Sequence, residues 1–241
     1  GIQMDKFFGI DNPHKPNWEG LIDTIMRRGE PDRVYHIELF LDSEMEDAVA
    51  ERFGLTDNLD PNDEWFAEKK YLAVQRFMGY DYARTRSGRL AVPFHSKTVE
   101  DTADLARGGG RSYQDEHTGP ITNWDEFEQY DWPDPVPEES EKLLDWYDKN
   151  LPDDMCIIAS GTGHFCEFIT WLMGYETLCY ALMDDRKLVG AIADKMVEFH
   201  RVQVKRFLEY NRVKAIWGSD DMGFRTGTLI SPDDLREVVF P

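Results

Sequence analysis

The sequence predicts an α/β protein built on a parallel sheet. Four apolar runs, Arg33–Asp42, Tyr80–Arg86, Met155–His164 and Val213–Asp221, have the length and content of strands. The stretches between them are long and largely helical in periodicity, so successive strands need crossovers rather than hairpins. The last run leaves its apolar core as "GSDDMGF", with two adjacent carboxylates where a parallel sheet keeps its chemistry. Four strand–helix units are half of a closed (β/α)8 barrel, so the pattern fits an open α/β sheet or the first half of a barrel. The whole span 1–241 reads as one domain, with residues 1–30 as a helical extension.

Trp18, Leu21, Ile22 and Ile25 share one helical face, and Gly29 and Pro31 end the pattern. "RVYHIELFLD" then alternates as a strand does. Tyr35, Ile37, Leu39 and Leu41 take one face, and Val34, His36, Glu38 and Phe40 the other. Residues 43–53 and 63–78 read as helices, the second closed by Gly79. Tyr80–Arg86 is the weakest strand. Residues 87–137 carry "RGGGR", "HTGP" and "DWPDPVP", which is loop chemistry, and a loop of that length points to a lid or binding loop. Residues 138–151 form a short helix, "MCIIASGTGH" a buried strand with a glycine turn, and 165–182 a helical stretch. In the long helix 186–211, the stripe Val189, Ile192, Met196, Phe199 and Phe207 is core packing. "SPDDL" starts a final helix with Ser231 as N-cap and proline in the first turn.

Composition narrows the functional classes. There are 47 Asp and Glu against 27 Lys and Arg, a net charge of −20, which opposes binding to nucleic acid or to an anionic membrane surface. No run approaches the ~20 apolar residues of a membrane span, and the N-terminus lacks the basic and apolar regions of a signal peptide. Cys156, Cys166 and Cys179 have neither disulfide-framework nor metal-knuckle spacing, which points to a reducing cytoplasm. "ARGGGR" (106–111) lacks the Gly-Lys-Ser/Thr of a phosphate loop and reads as a plain loop. Neither a nucleophile elbow, nor a His-Glu-x-x-His helix, nor a dinucleotide fingerprint is present. The aromatic residues of "NWDEFEQYDWPDP" staple a loop to the core, or alternatively form a lid over a flat ligand.

The strand exits supply the candidate site. The first strand offers His36, Glu38 and Asp42; the third Ser160, Thr162 and His164; the fourth Ser219, Asp220 and Asp221. We read Glu38, His164, Asp220 and Asp221 as catalytic, and His36, Ser160, Thr162 and Ser219 as substrate-binding. Each has a plainer role: aspartates after strands make turns, His36 and Glu38 can pair in a core, and His164 can cap a helix. Carboxylates and a histidine on one rim can do acid–base work, position a cofactor or bind a metal.

"SDDMGFRTGTLISPDDLREVVFP" resembles the uroporphyrinogen decarboxylase superfamily, where Asp-Asp-x-Gly after a strand leads to an Ile-Ser-Pro helix start. "PDRVYHIELFLDSEM" resembles the first strand of its methyltransferase-like members. "YDWPDPVPEE" is similar to their loop before the third strand, and "GYETLCYALMDDRKLVGAIADKM" to the crossover after it. The likeness covers residues 30–241 and implies a TIM barrel, (β/α)8, of which this chain holds about the first four units. The decarboxylases carry an arginine-rich Arg-Gln-Ala-Gly-Arg segment after the first strand; this chain has "IELFLDSEM". With the acidic charge, that departure disfavours a polyanionic tetrapyrrole and implies the corrinoid-dependent methyltransferase branch. Such enzymes move a methyl group between a corrinoid, usually on a corrinoid protein, and a thiol, a folate, or a methoxy or methylamine compound. Zinc ligands of the related thiol methyltransferases lie beyond the matched units, so zinc is expected only if a longer chain supplies them. The alternatives are a decarboxylase for a different carboxylate and a non-catalytic half-barrel, which would dimerise through its sheet edges.

Overall fold

A computed structural model describes residues 15–86, 96–99, 111–114 and 116–241. The protein is mixed α/β, and its central sheet is a parallel one of three strands. In chain order the elements are α1 (Trp18–Ile25), α2 (Ser43–Phe53), α3 (Phe66–Met78), β1 (Tyr82–Arg86), β2 (Ser96–Val99), β3 (Arg111–Gln114), α4 (Trp124–Gln129) and α5 (Glu138–Asn150). There follow β4 (Cys156–Gly163), α6 (Phe165–Met173), α7 (Tyr175–Asp184), α8 (Arg186–Phe207), β5 (Val213–Ser219), β6 (Gly223–Phe224) and β7 (Gly227–Thr228). The last helix, α9 (Pro232–Asp234), runs on as a π-helical turn, Leu235–Val239. The sheet order is β1-β4-β5; β2 pairs antiparallel with β3, and β6 with β7. The chain divides into two compact units. One holds residues 1–85, 145–158 and 211–215; the other holds 86–144, 159–210 and 216–241.

Local chemistry explains most boundaries. Asn17, Asn123, Asp185 and Ser231 each accept a backbone N–H in the first turn of α1, α4, α8 and α9. Gly54 and Gly79 take left-handed conformations after α2 and α3, which lets the chain turn away without a Cβ clash. In β4, every residue from Cys156 to Ser160 is at most 2% exposed, as a strand covered on both faces requires. β5 alternates half-buried and exposed, so one of its faces is open. The α8 stripe is buried throughout, and α6 and α7 pack on it with Ile121, Ile230 and Leu235. Phe127, Tyr130 and Trp132 pack against the same core, so the aromatic loop is a staple.

Three expectations change. Arg33–Asp42 is not a strand. Its Glu38 has both backbone groups satisfied by one side chain: the Tyr82 hydroxyl accepts from the Glu38 N–H at 3.0 Å and donates to its carbonyl at 3.1 Å. Alternation marks an extended chain, but a strand also needs a ladder, and here a phenol replaces it. His36 and Glu38 accordingly sit on an exposed loop of the first unit. The helical stretch 165–182 is broken at Gly174 into α6 and α7. Segment 87–137, read as irregular, contains the β2–β3 pair and the short helix α4; four-residue polar strands give no usable period. Residues 1–14 of the expected helical extension and 106–110 of the glycine loop lie outside the described residues.

In the first unit, Asp81 is 0% exposed and accepts from the Arg33 guanidinium and, at 2.7 Å, from the Asn17 N–H. Breaking a fully buried ion pair costs about 3–5 kcal/mol, because the remaining charge is stranded. The Arg33 side chain is 28% exposed, and water can reach it, so the effect here is smaller. Arg33→Ala is expected to destabilise by about 2 kcal/mol, read as a lower urea midpoint at unchanged slope.

Candidate active site

The second unit gathers His164, Glu167, Ser219, Asp220 and Asp221 around the ends of β4 and β5. β4 leads into α6 through His164, which takes a left-handed backbone (φ 53°) at the N-cap position. Such a conformation is uncommon for a residue with a Cβ, and histidine is among the side chains that tolerate it. It turns the imidazole back across the rim. There Nδ1 meets the Glu167 carboxylate, and Nε2 lies 2.9 Å from the Ser219 Oγ. The ring is thereby held at both nitrogens. If Nδ1–H donates to Glu167, the neutral ring accepts the Ser219 proton at Nε2; if protonated, it donates to both. Trp171 lies near-parallel to it at 6.4 Å between ring centroids.

Asp220 is committed elsewhere. Its Oδ2 accepts from the Cys166 N–H at 2.7 Å and its Oδ1 from the Glu167 N–H at 3.0 Å. The carboxylate sits on the positive end of α6, where both charge and orphan donors favour it. Burial nonetheless dominates and raises its pKa above the ordinary carboxylate range, with the two N–H donors pulling the other way. Of the adjacent pair, Asp220 therefore anchors the helix that carries Glu167. Asp221 is exposed and lines a cavity with Glu116, Glu167, Trp171, Tyr175 and Phe224, about 180 Å³ in volume. A larger, open depression of about 690 Å³ lies along α7 and the 227–234 segment, but its lining is mainly apolar and it holds none of the rim residues.

The remaining expected site residues fall as follows. Ser160 is buried in β4. Thr162 is in β4, and its side chain lies outside the described residues. His36 and Glu38 belong to the first unit, where the His36 ring stands edge-on to Tyr80. Sequence reasoning missed Glu167, Glu116, Trp171, Tyr175 and Phe224. Glu167 had a usable signal: it stands three residues after His164 at a helix start, on the same helical face. The cavity aromatics had none, because in sequence they read as ordinary core. Among the described residues, no three His, Cys, Asp or Glu side chains gather as a metal site.

Cys166 adjoins this rim but is chemically quiet. Burial, then the nearby Asp220 charge, pushes its thiol up to about 12, and burial does the same to Cys156. Thiolate is the reactive form, so both should resist alkylation, whereas the exposed Cys179 should react. Mass spectrometry after a brief iodoacetamide pulse at pH 7.5 is expected to find label on Cys179 alone in the folded protein.

Comparison with family models, with curated proteins and with solved structures finds no match.

Proposed function

We propose that the chain is the N-terminal part of a uroporphyrinogen-decarboxylase-like (β/α)8 enzyme of the methyltransferase branch. It moves a methyl group between a corrinoid and a small acceptor or donor. The observation that carries this reading is the His164 ring held between Glu167 and Ser219, at the ends of β4 and β5, beside a small cavity edged by Asp221. Sheet order supports the barrel. β1, β4 and β5 are neighbours in the order in which they occur, with helices between them, which is the one-way stepping a barrel requires throughout.

A cavity of about 180 Å³ does not enclose a corrin. A corrinoid would therefore have to be presented by a corrinoid protein, and it would supply the carrier for the methyl group. This chain's residues handle the small partner. Glu167 orients the His164 ring by its contact at Nδ1. His164 Nε2, relayed through the Ser219 hydroxyl, gives or takes the proton that a thiol or leaving group needs. Asp221 binds at the cavity edge, and Asp220 fixes the start of α6 so that Glu167 and His164 stay in register. A decarboxylase reading is less favoured, because no Lys, Arg or His among the described residues lines the cavity to hold a carboxylate.

The test is spectroscopic. Purified protein is mixed with methylcob(III)alamin and small thiols, and in the reverse sense with reduced corrinoid and N- or O-methyl compounds. Protein-dependent conversion of the corrinoid spectrum is the expected result. Carbon dioxide release without corrinoid conversion would move the assignment to a decarboxylase. Absence of both would overturn the enzymatic reading.

A further inference from the structure

The cavity beside Glu167 and Asp221 has a lining that acid–base chemistry alone does not call for. Three carboxylates (Glu116, Glu167, Asp221) and three aromatic rings (Trp171, Tyr175, Phe224) face it, and no basic side chain does among the described residues. The rings are braced. Tyr175 and Phe224 meet edge to face at 6.2 Å, and the Tyr175 hydroxyl donates to the Leu229 carbonyl. Trp171 packs edge to face on Phe168 at 4.9 Å. Aromatic faces carry negative quadrupole potential and carboxylates carry negative charge, so both halves of the wall attract the same sign. An anion is repelled here. A neutral apolar ligand would strip water from carboxylates and return nothing. An alkylated ammonium answers both halves, because its positive charge is spread over methyl groups that also pack on rings. The volume matches: about 180 Å³ is roughly six water-sized shares of ~30 Å³, enough for a trimethylammonium head with a short tail.

We infer that this cavity binds the ammonium group of a small methylated amine. The choice of a methylated amine as reactant rests on the methyltransferase reading; the preference for an organic cation stands on the cavity itself. Binding is measured without turnover, by titration calorimetry of the protein with choline and with 3,3-dimethylbutan-1-ol, which has the same shape and no charge. Choline is expected to bind at least tenfold more tightly than the neutral isostere. Trp171→Leu and Asp221→Asn, each with an unchanged circular dichroism spectrum, are expected to weaken choline severalfold, by loss of a ring face and of a charge respectively. Equal affinity for the two ligands, or binding of neither, overturns the inference; so does choline binding that both variants retain. If choline binds selectively but no corrinoid is converted, the cation site survives and the methyltransferase assignment falls. If corrinoid is converted without choline binding, the reverse holds.

Discussion

Gly174→Ala is expected to destabilise the protein by on the order of 4 kcal/mol. Gly174 has φ 78° and ψ 142°, a region that essentially only glycine occupies. An added Cβ would also stand 2.6 Å from the Thr118 backbone, and backbone cannot rotate aside as a side chain can. The strained conformation alone costs about 1–3 kcal/mol, and overpacking a close contact adds about 1–3 more. The neighbouring contact is equally tight: a Cβ on Gly119 would lie 2.4 Å from the Leu172 carbonyl, which already accepts the Ile121 N–H at 2.8 Å. The two glycines let the 118–121 segment lie flat on the α6–α7 corner. Because that corner carries Trp171 and Tyr175, the loss should appear both as a lower denaturation midpoint and as weaker ligand binding in whatever remains folded.

His164→Gln is expected to lower methyl-transfer turnover by about 10²–10⁴-fold, the usual contribution of a positioned general acid or base. Glutamine can still reach Ser219 or Glu167, but it cannot exchange a proton at neutral pH. Asp220→Asn should behave differently. It leaves one of the two α6 N–H groups facing an amide instead of an oxygen, so it should act mainly through stability, by about 1 kcal/mol, as lost caps do. Thermal melts and single-turnover rates, measured on both variants, separate the two roles.

Much of the α/β pattern could be read from the chain. The buried strand Met155–His164 announces itself because a strand covered on both faces must be apolar in every residue, and the α8 stripe because burial on one face imposes a helical period. The signal at Gly79 placed the end of α3 for the same kind of local reason. The failures share a cause. Arg33–Asp42 alternates perfectly, yet whether an extended segment becomes a strand depends on what lies beside it, and Tyr82 is distant in sequence. The break at Gly174 depends on the backbone of Thr118 arriving from elsewhere. At the site, His164, Ser219 and Asp221 were legible as strand exits. That Asp220 is spent on capping α6, and that Glu167 takes the place beside His164, follows only from the turn at His164. The aromatic half of the cavity left no trace in the sequence, because a ring facing a ligand and a ring facing the core are the same letter.

The most direct measurement is the methyl-transfer rate of Glu167→Gln against the unaltered protein, under single-turnover conditions with methylcob(III)alamin. Glutamine keeps the size of Glu167, and the Asp220 contact to the residue 167 N–H does not depend on the side chain. A fall of about 10- to 100-fold with an unchanged melting temperature is what a Glu167-held His164 predicts. An unchanged rate would contradict it, since His164 would then need no carboxylate beside it and the rim would be a helix cap rather than an active site.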